Sequence, residues 1–189
     1  MTSRRGLAVA GIAAAAAALA WLLFVGLPRW YGAPATPRAG AATAPAPPGR
    51  KIKARLYYVS ADGTRLTAVE RDVPYGEGTV QQAKEIIAAQ IAPTVEPSVS
   101  AIPPGTALRA LFIGDRGDAY VDLTRVVSST HEGGTLNELL TVYTIVNALT
   151  SNLPAVTTVQ ILVDGKEVAT LAGHVDLRQP LAQDLAWVQ

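Results

Sequence analysis

Residue types that can do covalent chemistry crowd into one short stretch, where Ser128, Ser129, His131 and Glu132 fall within five positions. A hydroxyl nucleophile needs a histidine to take its proton and an acid to orient that histidine. Here the three types are merely adjacent, and no Gly-x-Ser-x-Gly turn surrounds either serine, so a solvated loop accounts for them better than a triad. His174-Val175-Asp176 sets two metal-ligand types on one side of an extended segment. The other histidine, His131, lies about 43 positions away, and that spacing does not resemble a zinc site. Asp115 and Asp118 lack the series of oxygen positions that a calcium loop requires. Asp122 and Glu138 are the two acids to weigh as a glycoside-hydrolysing pair, and they carry the alternative reading, a peptidoglycan-acting hydrolase or amidase accessory. Both have local structural explanations, Asp122 at a strand end and Glu138 in a helix cap. Gly76-Glu77-Gly78 has neither the preceding strand nor the third glycine of a dinucleotide loop, and Arg116-Gly117-Asp118 reads as a hairpin turn. No catalytic residue, cofactor-binding residue or metal ligand is assigned, and the expectation is a non-enzyme without cofactor.

The elements that would position these residues follow from periodicity and turn chemistry. Residues 53–60 and 65–73 alternate as strands around Ala61-Asp62-Gly63, whose Asp-Gly pair marks a tight hairpin. Val80, Ala83, Ile86, Ile87 and Ile91 recur at helical spacing behind a candidate cap, Thr79, and Pro93 stops that helix. Four prolines make residues 92–104 a loop. A second hairpin joins 107–113 to 119–123 through Gly114-Asp115-Arg116-Gly117-Asp118. Thr135-Leu136-Asn137-Glu138 has the form of a capping box, with Thr135 capping and Glu138 reaching back. Behind it Leu136, Leu139, Leu140, Tyr143, Val146 and Leu149 form an apolar stripe that ends near Asn152 to Pro154. A third hairpin, 158–163 with 166–171, turns at Asp164-Gly165 and sets Val159, Ile161 and Val163 on one face. The sum is an α+β fold, a mostly antiparallel sheet built from hairpins with two amphipathic helices packed on one face.

Ahead of this domain, residues 6–27 run without a charge. A helix of that length spans about 33 Å, enough for a bilayer core of about 30 Å. The expected order is a cytoplasmic N-terminus at 1–5, a single transmembrane anchor (or uncleaved signal) at 6–27, a Pro/Ala-rich linker at 28–50 and the folded domain at 51–189. A cleaved signal peptide is the rival, with small-residue sites at Ala33-Pro34-Ala35 and Ala42-Thr43-Ala44, but its apolar core would be shorter. Trp30 and Tyr31 stand where interfacial aromatics are favoured. With Arg4 and Arg5 held in the cytoplasm, the domain faces outward, periplasmic or at the cell surface.

The absence of cysteine rules out a disulfide, a thiol nucleophile and an acylated lipoprotein cysteine. The total charge of +1 hides an asymmetry. The first 50 residues hold five arginines and no acid, while all 15 acids fall later against 11 Lys and Arg, leaving the domain near −4. Such a domain is a poor match for phosphate backbones, so nucleic acid is not an expected partner.

From residue 51 onward the order of the pieces resembles the GerMN domain family, the sporulation and germination domain of bacterial envelope proteins. The resemblance rests on Leu56-Tyr57-Tyr58, Ile102-Pro103-Pro104-Gly105-Thr106, Val121-Asp122-Leu123-Thr124 and Gly133-Gly134-Thr135 with Glu138. It continues through Leu149-Thr150 and Val159-Gln160-Ile161-Leu162-Val163-Asp164-Gly165-Lys166 to Gly173-His174-Val175-Asp176. It implies an extracytoplasmic binding or scaffold domain that supports protein assembly or cell-wall remodelling. Its implied partners are envelope proteins, peptidoglycan and further copies of itself. The chain departs from the family in carrying an apolar segment instead of a lipidated cysteine, and one copy of the domain instead of two.

Overall fold

The structure, a computed structural model, describes residues 49–94 and 96–189, together with Trp21. The expected cytoplasmic stretch 1–5, the anchor 6–27 and the spacer 28–50 lie outside the described residues apart from Trp21, Gly49 and Arg50. Among the described residues no helix is long and apolar enough to cross a membrane.

The described domain runs β1 (Lys51–Val59), β2 (Leu66–Pro74), α1 (Gly78–Ile91), β3 (Leu108–Ile113), β4 (Asp118–Leu123), α2 (Val126–Ser129), α3 (Thr135–Asn152), β5 (Thr158–Val163), β6 (Lys166–Glu167) and β7 (Leu181–Ala182). The first hairpin forms as its turn chemistry predicts. Asp62 accepts from the Ser60 hydroxyl and the Thr64 N–H, Gly63 takes φ +75°, and Leu56 faces Val69 across the ladder. The β3–β4 hairpin forms too, with Leu111 opposite Val121.

Two expectations about the sheet need correction. Among the described residues there are two sheets, β1–β2 alone and β3-β4-β5-β6 with β7 on β5, and the second is mixed because β4 and β5 run parallel. The crossover between them carries α2 and α3, as a parallel pair demands. The third hairpin is also much shorter than the alternation suggests. Its return strand is only Lys166–Glu167, after which the chain leaves the ladder and crosses to α3.

The long helices α1 and α3 pack on each other and each touches both sheets. Their inner faces, including Ile86, Ile87, Ile145, Val146 and Leu149, meet Leu56, Leu111, Val121 and Ile161 in one core. Two stripe positions point outward instead, Val80 at 40% exposed and Leu136 at 37%. Neither helix start uses the expected side chain. α1 begins at Gly78 behind Glu77, and α3 begins at Thr135 behind Gly134, with no side-chain cap bond at either. Gly76 explains the first of these. A Cβ there would lie 2.5 Å from the backbone of Gln81 and Gln82, so the chain can press against the new helix only with glycine.

Carboxamides take the places where an additional strand would otherwise pair. On the outer edge of β1, Gln90 accepts the Tyr57 N–H and donates to the Tyr57 carbonyl, at 2.9 and 2.8 Å. Asn152 does the same for Arg55, both at 2.8 Å. Gln82 bridges the Gly76 N–H and the Pro74 carbonyl, and Asn147 bridges both backbone groups of Asp184. Each amide has one acceptor and two donors, so it satisfies a backbone pair in full. Gln90 and Asn147 are completely buried.

Candidate functional site

Glu138 is the most committed carboxylate of the domain. It sits in the first turn of α3 and is fully buried. Its Oε1 accepts the Leu171 N–H at 2.7 Å, and its Oε2 accepts the His174 N–H at 2.8 Å and lies 3.2 Å from His174 Nδ1. Burial pushes its pKa up, yet the backbone N–H groups of Ala172, His174, Leu171 and Val175 outweigh it and hold the carboxyl below its ordinary value. The capping-box reading of Glu138 is thereby corrected. The carboxylate turns away from its own helix and holds a loop 33 residues downstream.

That clamp also decides the His174–Asp176 pair. His174 Nδ1 faces Glu138, whereas Asp176 binds the Arg178 guanidinium through both oxygens at 2.9 and 2.6 Å. Hydrogen bonding to Arg178 lowers the Asp176 pKa to about 2. The two residues are not brought together as ligands, and among the described residues no group of His, Cys, Asp or Glu is placed to hold a metal ion.

Asp122 is similarly spent. A bulge at Arg109 interrupts the β3–β4 register, and the Arg109 Nη1 lies 3.0 Å from Asp122 Oδ2. The other oxygen accepts the Gly165 N–H at 2.7 Å, so Asp122 secures the β5–β6 turn. Asp118 accepts the Thr158 hydroxyl at 2.7 Å, tying β4 to β5. Gly117 holds φ +87° with the Ala155 carbonyl 2.8 Å from where a Cβ would stand. The Arg116-Gly117-Asp118 tripeptide is therefore the turn of its hairpin.

Ser128 and Ser129 lie in the short helix α2, and no hydrogen bond joins either hydroxyl to His131 among the described residues. The imidazole is engaged elsewhere. Its Nδ1 accepts the Gly133 N–H at 2.9 Å, which leaves the proton on Nε2, 3.1 Å from Thr141 Oγ1. Thr141 in turn donates to the Ala101 carbonyl at 2.6 Å. This relay pins the 99–104 loop and the 130–134 loop to α3. Between them lies a groove of about 330 Å³ with Val59, Pro103 and Leu140 along it and His131, Glu132 and Asn137 at its polar side. Sequence reasoning pointed to His131 and Glu132 as residues but not to the groove, which depends on a contact between Thr141 and Ala101 that periodicity does not encode.

A family model described as sporulation and spore germination, Germane, matches residues 55–169. Among solved structures, a candidate lipoprotein from Clostridium perfringens is similar with a TM-score of 0.52 and 22% identity, over 71% of this chain and 89% of that one. The tandem GerMN domains of the sporulation protein GerM from Bacillus subtilis are similar with a TM-score of 0.52 and 18% identity, over 72% of this chain. The match spans 46% of the tandem chain. At these identities the likeness speaks for the fold alone. No curated protein matches the sequence.

Proposed function

The chain belongs to the Germane family of sporulation and spore germination domains, and from that premise we propose that it is a non-catalytic binding or scaffold module of the bacterial cell envelope. Residues 6–27 anchor it in the cytoplasmic membrane, 28–50 space it from the surface, and 51–189 form the extracytoplasmic domain. Its partners are envelope proteins, with peptidoglycan a further contact, and its role is support of protein assembly or wall remodelling. The names of the similar structures, a candidate lipoprotein and a sporulation protein, fit that placement.

One observation carries the non-catalytic reading. The two acids that resemble a hydrolytic pair are both consumed by structure, Glu138 by backbone N–H groups and Asp122 by Arg109 and Gly165. A general acid or base must have an oxygen free to meet the proton it moves.

The test is co-sedimentation of the full chain, held in mild detergent, with isolated sacculi, followed by analysis of soluble muropeptides. The expected result is no release above the blank, with or without Asp122→Ala. Release that Asp122→Ala abolishes would establish the enzyme instead. Orientation is read separately by fusing alkaline phosphatase after Gln189, which should be active only if the domain is outside.

A further inference from the structure

The groove between the 99–104 loop and the start of α3 has a one-sided charge, lined by Glu132 and by no Lys or Arg. Its side-chain hydroxyls are spent within the protein, and one of the two Asn137 amide N–H groups is engaged as well. The Ser100 hydroxyl bonds the Ile102 carbonyl, Thr130 bonds the Val126 carbonyl, Thr141 bonds the Ala101 carbonyl, and Asn137 donates to the Gly133 carbonyl. The His131 Nε2 proton is directed at Thr141, and its Nδ1 is occupied by Gly133. What remains open at the rim is the carboxylate of Glu132, with Oδ1 and one N–H of the Asn137 amide beside it. Glu132 is exposed and makes no ion pair among the described residues, and no Lys or Arg lines the groove. Beneath this rim the floor is aliphatic, with Ile102, Pro103 and Leu140.

An apolar trough that ends in an unpaired carboxylate fits a donor-rich cation on a hydrocarbon stem. We infer that the groove docks a lysine or arginine side chain from an extended segment of a partner protein, with the stem along Pro103 and Leu140 and the cationic head at Glu132. The inference rests on the reading of the domain as a binding module and names the partner chemistry. A peptidoglycan stem peptide also carries an amine, but it brings carboxylates for which this groove has no cation. A protein segment supplies the cation without that penalty. The relay from Gly133 through His131 and Thr141 to Ala101 fixes both walls in advance, so little ordering remains to oppose binding.

The probe is a labelled, end-blocked Ala-Pro-Lys-Pro-Ala peptide, titrated by anisotropy against the full chain in mild detergent. Replacing its lysine by norleucine keeps the stem and removes the charge, and should weaken binding about tenfold. Glu132→Gln should weaken the lysine peptide by a similar factor and leave the norleucine peptide unchanged. Glu132→Lys should reverse the preference toward a glutamate peptide. The Glu132 side chain makes no hydrogen bond among the described residues, so neither change should alter folding, which circular dichroism verifies. Equal binding of the lysine and norleucine peptides, or indifference to Glu132→Gln, overturns the inference. So does a muropeptide that displaces the lysine peptide in a Glu132-dependent way. Photocrosslinking from Thr130 and from Phe112 in intact envelopes separates this assignment from the underlying reading. Crosslinks from Phe112 alone refute the groove and leave the binding module standing. Release of muropeptides with no crosslink from either position refutes the module itself.

Discussion

Replacing Glu138 tests the central claim about how this domain is built. In Glu138→Ala the N–H groups of Leu171 and His174 lose their acceptor, and His174 Nδ1 loses its partner. Each buried donor left unpaired costs about 1–3 kcal/mol. The Leu171 donor is buried and the His174 donor part-buried, and with the cavity they put the loss at about 4 kcal/mol, a large share of the roughly 5–15 kcal/mol that stabilises a domain. At about 3 °C per kcal/mol for a domain of this size, Tm should fall by about 12 °C. Glu138→Gln is the sharper variant, because volume is kept and one oxygen is exchanged for a donor. That amide can still accept from Leu171 but turns N–H against N–H at His174, and should cost about 2–3 kcal/mol. The pH dependence has a definite sign. The folded carboxyl is held below its ordinary value of 4.5, so as pH falls the unfolded chain takes up the proton first. The Glu138 contribution is therefore complete above about pH 5 and is lost as pH falls from there through the folded pKa. Thermal melts of wild type and Glu138→Gln at pH 7 and pH 3, with hydrogen exchange at 171–175, read all of this. A Tm difference under about 2 °C at pH 7, or one that does not shrink at pH 3, refutes the clamp.

Other substitutions probe the remaining contacts. Gln90→Ala should cost about 3 kcal/mol in urea denaturation, because Tyr57 loses partners for both its N–H and its carbonyl. The same variant opens an edge of β1, so light scattering should detect more self-association than in the wild type. Asp122→Ala should cost about 2 kcal/mol through Gly165 and Arg109 while leaving sacculus binding unchanged, read by denaturation and co-sedimentation together. Gly76→Ala drives a Cβ to 2.5 Å from the backbone of α1 and should lower stability by about 2–3 kcal/mol, whereas Gly133→Ala meets no atom within 4 Å and should lose only the smaller cost of its φ of +80°.

The parts of the fold that were legible in the sequence are those whose causes are local. Asp62-Gly63 and Asp164-Gly165 declare their turns because few residues tolerate positive φ, and Asp164 and Gly165 do adopt φ of +50° and +76°. The two long helices, α1 and α3, were visible from their apolar spacing, whereas α2 falls in a stretch that reads as a loop. Apart from the unused Thr79 cap, what failed depended on a partner far along the chain. Alternation in β5 says which face is buried but not that its neighbour is β4, running parallel. Glu138 fits a capping box three residues after Thr135, and nothing within that window announces competing donors at Leu171 and His174. The carboxamides were missed for a related reason. Gln82, Gln90, Asn147 and Asn152 interrupt amphipathic stripes and look like defects until the backbone they complete is in view.

The same long-range contacts bear on where this domain physically ends. The family model stops at residue 169, within the turn that follows β6. The N–H groups that stabilise the charge of the buried Glu138 carboxylate lie at 171–175, just beyond it. Past those, Gln160 holds the Leu177 carbonyl at 2.6 Å, β7 pairs with the edge of β5, and Leu66 donates to the Trp187 carbonyl. Leu171 and Leu177 are buried in the core. Residues 170–189 have little regular structure, yet they cover one sheet edge and close the far side of α3. A carboxylate in the matched region that requires donors outside it makes the two segments one cooperative unit. The recognisable motif is therefore shorter than the unit that folds.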